Sequence, residues 1–109
     1  MSTRSTGIYS NGREPKIDHI IKIVAENCNI NVQLIHSYNR HGYIVLTRQI
    51  AMYLIRYNTN FTLEVIGTHL GGRTPATIHC GIKRLTLLKS YSDVLSNFID
   101  GIEKCLNNH

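Results

Sequence analysis

Between residues 40 and 89 the chain carries Arg40, Arg48, Arg56, Arg73, Lys83, Arg84 and Lys89 against a single acid, Glu64. The rest of the chain is slightly acidic, so all of the formal net charge of +5 originates in this stretch. Guanidinium and ammonium groups at this density hold anions, and their concentration in one segment points to a polyanion such as nucleic acid. Other chemistries are poorly served. The seven carboxylates show no paired arrangement for general acid–base work. Six histidines and three cysteines invite a metal site, with His69, His79 and Cys80 the nearest cluster. Neighbouring residues on a helix diverge by about 100°, which makes His79 and Cys80 poor joint ligands. The expectation is a binding protein and not an enzyme, with no metal and no cofactor.

The basic residues must be held by something, and the stretch from Thr62 to Leu85 provides it. Thr62 is a good N-cap, and Leu63, Ile66 and Leu70 form an apolar stripe at helical spacing. Gly71 and Gly72 stop that helix and permit the positive φ of a tight turn. Thr74 caps a second helix with Pro75 at its first position, where a missing N–H is harmless. Ile78, Ile82 and Leu85 give this helix a buried side, which leaves Thr74, Ala76, Thr77 and Cys80 outside at its N-terminal end. Two short helices joined by a glycine turn form a helix-turn-helix, whose second helix commonly enters a DNA major groove. The same spacing also suits an αα-hairpin that is only scaffold.

Around this unit the periodicity predicts an all-α domain of about six helices. Residues 1–14 lack periodicity and read as a disordered tail. Residues 15–109 read as one helical DNA-binding domain, with the helix-turn-helix at 62–89. Pro15 opens a helix to about Asn27 with Ile17, Ile20, Ile21 and Val24 inward. Asn31 caps a short second helix. Tyr38 to Tyr43 is a polar, basic, aromatic loop. Thr47 caps a third helix from Arg48 to about Tyr57, on which Arg48, Gln49 and Arg56 can face outward. Gly81 in the next helix suggests close packing. A last helix, about Ser92 to Leu106, places Val94, Leu95, Phe98, Ile99 and Ile102 inward. No apolar run approaches the ~20 residues needed to span a membrane. An odd cysteine count without CxxC favours free thiols in a reducing cytoplasm.

The block Thr47-Arg48-Gln49-Ile50-Ala51-Met52-Tyr53-Leu54, followed by Thr59, Ile66-Gly67, Leu70-Gly71-Gly72-Arg73 and Thr77-Ile78-His79, resembles the C-terminal DNA-binding domain of the bacterial replication initiator DnaA. The resemblance covers about residues 16–90. It implies a Trp-repressor-like helical fold that binds double-stranded DNA with a helix-turn-helix in the major groove and an upstream basic loop in the minor groove. It further implies a role in replication initiation or its regulation, or in transcription regulation, and a cytoplasmic, nucleoid-associated protein. Arg40 stands where the family has its minor-groove arginine. Arg48, Gln49 and Arg56 match positions that hold the DNA backbone, and Thr77 matches the second threonine of the family's Gly-Gly-Arg-Asp-His-Thr-Thr signature. Arg73, Thr74, Pro75, Ala76, Cys80 and Lys83 complete the expected DNA-facing set. No GxxxxGK[ST] occurs, so no nucleotide partner is expected, and the chain reads as a stand-alone domain or a fragment of something larger.

Thr74, Pro75 and Ala76 depart from that signature, standing where it has Asp, His and Thr. Asp can accept from a cytosine amino group, whereas Thr is ambiguous, Pro has no polar side chain and Ala can only touch a thymine methyl. This loss leaves a second reading open: a protein-interaction module that binds the replication initiator or another replication protein without specific DNA binding. Retention of Arg40, Arg48, Arg56 and Arg73 argues for DNA. Weak base reading at 74–76 is testable by competing the initiator's box against random duplex at fixed salt. The unmodified protein should prefer the box by less than about a thousandfold, the lower range for dedicated specific binders. The combined change Thr74→Asp, Pro75→His and Ala76→Thr should move preference toward the box.

Overall fold

A computed structural model describes residues 17–107. The expected tail at 1–14 and the opening Pro15 lie outside these residues. Six helices follow in order: α1 Ile17–Cys28, α2 Val32–His36, α3 Gly42–Asn58, α4 Leu63–His69, α5 Pro75–Tyr91 and α6 Asp93–Asn107, with no strand among the described residues. Helix α3 is the hub. It packs against α1, α2, α4 and α5, while α6 lies across α1 and α5.

Local signals account for most boundaries. α1 buries Ile17, Ile20, Ile21 and Val24 on one face, as their spacing requires. It ends where Asn29 turns left-handed at φ 58° and the Ile30 N–H reaches back to the Ala25 carbonyl at 2.9 Å. The Asn31 side chain caps α2 by accepting from the Gln33 N–H at 2.7 Å. Thr62 and Thr74 cap α4 and α5 in the same way, through the N–H groups of Val65 and Thr77. The Ser92 hydroxyl caps α6 by accepting from the Leu95 N–H at 3.1 Å. Gly81 faces α3 so closely that a Cβ there would lie 2.5 Å from the Met52 sulfur, which is the tight crossing its position suggested.

Four expectations need correction. Helix α3 begins at Gly42, well before Arg48, and therefore contains Ile44, Val45 and Leu46. Thr47 does not cap it. Its buried hydroxyl donates to the Tyr43 carbonyl one turn back at 2.8 Å. The β-branched pair at 44–45 disfavours a helix only weakly, and burial of Ile44 outweighs that preference. Arg48 does not face outward and is only 5% exposed. Val94 and Phe98 do not point inward, since they are 82% and 37% exposed. The buried stripe of α6 is Ile99, Ile102 and Leu106, and Val94 and Phe98 lie on its flank.

Two glycines set a stability contrast. A Cβ at Gly67 would fall 2.0 Å from the Arg73 carbonyl oxygen, whereas one at Gly101 would meet nothing within 4 Å. Gly67→Ala should lower the unfolding free energy by about 2 kcal/mol or more, because backbone must move to admit it. Gly101→Ala, in a helix interior, should raise it by about 0.5–1 kcal/mol. Urea denaturation followed by helical dichroism checks both signs.

Candidate nucleic-acid interface

The helix-turn-helix turn is built on one carbonyl. The Gly67 oxygen accepts the N–H groups of Leu70, Gly72 and Arg73 at 3.1, 3.0 and 2.9 Å. Gly71 and Gly72 complete the reversal with φ of 83° and 79°, a region L side chains rarely adopt. Ile66, Leu70, Ile78, Ile82 and Leu85 are buried behind the turn and lock α4 against α5. This leaves Thr74, Pro75, Ala76, Thr77 and Cys80 exposed at the start of α5. The Thr74 hydroxyl is occupied by the cap and lies 3.0 Å from the Thr77 hydroxyl, so the two threonines share one polar cluster.

The two edges of α5 differ. Along one, Ala76, Thr77 and Cys80 border a cleft closed on the α3 side by Val45, Arg48, Gln49 and Met52 and edged by Arg73 and Arg84. Along the other, His79 and Lys83 border a groove with Arg56 and Tyr57 of α3. The expected residues are thus split: Arg48, Gln49, Arg73, Ala76, Thr77 and Cys80 line one edge, Arg56 and Lys83 the opposite one. Arg84 belongs to the first set and sequence reading passed over it. Its spacing of one turn from Cys80 was the available signal. Arg40 is exposed on the loop between α2 and α3.

Arg48 and Arg73, expected on the DNA face, are engaged within the protein. The Arg48 Nε donates to the Ile35 carbonyl at 2.9 Å, and its Nη2 lies 3.1 Å from each of the carbonyls of Leu34, Ser37 and Asn39. Arg73 donates through Nη2 to the same Ser37 carbonyl at 2.5 Å and through Nη1 to the Leu70 carbonyl. Its guanidinium also stands 5.5 Å from the centre of the Tyr38 ring, and the Tyr38 hydroxyl is 3.4 Å from the Gly71 carbonyl. Burial, and then the charge of Arg73, pushes the Arg48 guanidinium below its ordinary pKa. Burial lowers that of Arg73 as well, offset by Tyr38. Carbonyl dipoles from a helix C-terminus are suitable partners for a buried cation, since they carry partial negative charge. Sequence spacing could not reveal this, because Ser37 lies far from Arg73 along the chain.

No group of three or more His, Cys, Asp or Glu side chains suited to a metal occurs among the described residues. His69 instead lies 3.4 Å from the Asp18 carboxylate on the surface. None of the described helices is long and apolar enough to cross a membrane.

Comparison with known proteins agrees with this architecture. The family model described as bacterial dnaA protein helix-turn-helix matches residues 17–85, from the start of α1 into the middle of α5. The chromosomal replication initiator protein DnaA of Chloroflexus aggregans is 36% identical over 80 residues, covering 72% of this chain and 17% of that protein. The same-named protein of Francisella tularensis is 37% identical over 95 residues, covering 87% of this chain and 19% of the relative. That of Flavobacterium psychrophilum is 30% identical over 95 residues, 87% of this chain and 20% of the relative. The chain therefore spans about a fifth of the length of these relatives. The matched span contains the Gly67 turn, the capped start of α5 and the Arg40 loop, and the chain belongs to the bacterial DnaA protein helix-turn-helix family.

Proposed function

We propose that this domain binds double-stranded DNA in replication initiation or its regulation, with the N-terminal half of α5 in the major groove. The observation that carries the reading is the exposure of Ala76, Thr77 and Cys80 between two cationic edges, Arg84 on one side and Arg56 with Lys83 on the other. A helix in a major groove is bordered by two phosphate strands, and each edge supplies positive charge to one of them. Arg40, exposed on the adjoining loop, is the minor-groove arm of the same reading. Its partner is a narrow A·T-rich segment, where negative potential is greatest. Thr77 and the Ala76 methyl supply what base reading there is. The function is binding and not catalysis, and transcription control would follow from the same contacts.

The exposed apolar flank of α6 at Val94 and Phe98 favours a second reading, in which the domain docks on the replication initiator or another replication protein. Steeply salt-dependent retention on duplex DNA separates the two, because phosphate contacts release counterions and an apolar docking contact does not.

The phosphate role falls on Arg56 and not on Arg48. Arg56→Ala should weaken binding to all duplexes alike and flatten the slope of log affinity against log salt by roughly one unit. An unchanged slope with altered sequence preference would place Arg56 elsewhere. Replacing A·T by G·C pairs beside the major-groove site should weaken the unmodified protein, and Arg40→Ala should respond little to that exchange. Fluorescence anisotropy titrations at fixed salt measure both, and equal sensitivity in the two proteins would remove Arg40 from the minor groove.

A further inference from the structure

We infer that Arg73 and Arg48 set the base-pair register between the two groove contacts, acting on DNA reading through the Ser37 carbonyl and not by touching DNA. The inference rests on the reading just given, in which α5 and Arg40 occupy adjacent grooves. Arg40 stands in the five-residue loop 37–41 that joins α2 to α3. An unrestrained residue spans up to ~3.3 Å, so the two residues between Ser37 and Arg40, if free, could move its side chain by more than the ~3.4 Å between successive base pairs. A loop with that freedom would accept an A·T segment at several offsets from the major-groove site.

The structure removes the freedom from both sides. Arg48 Nη2 holds the carbonyls of Ser37 and Asn39, the latter immediately before Arg40. Arg73, inside the turn that aims α5, holds Ser37 at 2.5 Å and Leu70 with its other nitrogen. Tyr38 closes the joint, with its ring under the Arg73 guanidinium and its hydroxyl toward the Gly71 carbonyl. The chain is already close at this point, since a Cβ on Gly71 would fall 2.2 Å from the His36 carbonyl. The turn that sets the major-groove helix and the loop that carries the minor-groove arginine are thereby one rigid piece. Arg73 is a positioning residue here, because a fork of two donors spanning two carbonyls is what joins them.

The test uses duplexes selected by the unmodified protein, rebuilt as a series in which the A·T segment is displaced by one or two base pairs in either direction. Affinities are read by anisotropy at fixed salt. The unmodified protein should show one optimum and lose about tenfold for a single-step displacement, the size of one misplaced base contact. Arg73→Lys keeps the charge but cannot span both carbonyls, so its profile should flatten to within about twofold across offsets. Tyr38→Ala, at an exposed position that leaves the core intact, should broaden the profile in the same direction. Helical dichroism confirms that each variant is folded. If Arg73→Lys and Tyr38→Ala both keep the sharp optimum while Arg40→Ala abolishes it, the joint is overturned and the minor-groove reading stands. If Arg40→Ala leaves the optimum unchanged, the minor-groove reading fails and the register proposal falls with it.

Discussion

Three amide donors converge on the carbonyl of Gly67, and most of the molecule's usable surface follows from that convergence. It fixes how α5 leaves α4, and so which residues of α5 remain outside. It also brings the Arg73 carbonyl to a distance that only a residue without a side chain tolerates. The apolar contacts of Ile66, Leu70, Ile78 and Leu85 then make the angle stable rather than merely possible. Hydrogen bonds of this kind each contribute modestly, about 0.5–1.5 kcal/mol net. Their importance lies in geometry, because three donors on one acceptor hold the direction in which the chain leaves α4.

The buried arginine near this turn reverses a simple expectation about charge. An arginine on a helix beside a recognition element looks like a phosphate ligand. Here Arg48 meets four backbone carbonyls at the end of α2 and in the loop beyond it. A helix of five residues cannot satisfy its own C-terminal carbonyls, and a guanidinium with several donors does so for it. Removing Arg48 would take a donor from each of these carbonyls, leaving Ser37 to Arg73 and Leu34 to the N–H and hydroxyl of Ser37, and would loosen the loop at Asn39, so loss of DNA binding would not by itself identify a contact.

Sequence reading succeeded wherever one or two turns of chain held the whole signal. The caps at Asn31, Thr62 and Thr74 and the glycine turn each depend on residues within four positions, and the apolar stripe of α1 on the two turns from Ile17 to Val24. The exposed face at 74–80 followed from Ile78, Ile82 and Leu85 alone. It failed wherever distant chain decided the outcome. The start of α3 at Gly42 depends on burial of Ile44 in the folded core, and the orientation of Arg48 on carbonyls of another element. On α6 the difficulty was excess. Val94 and Phe98 lie beside Leu95 and Ile99, and both pairs fit a helical stripe. Only the placement of α1 and α5 selects the inner one.

The three thiols differ in a way that turns the molecule into its own footprinting probe. Cys28 is buried, and burial raises its thiol pKa, so it holds little of the reactive thiolate. Cys80 is exposed on the outward side of α5, and Cys105 is exposed on α6. A polar alkylating reagent therefore meets two addresses on one chain, one on the surface read as the DNA face and one on a different helix. The ratio of modification at Cys80 to that at Cys105 reports occupancy of the α5 face with an internal control, without any label being introduced. The same ratio distinguishes a partner that covers α5 from one that covers α6.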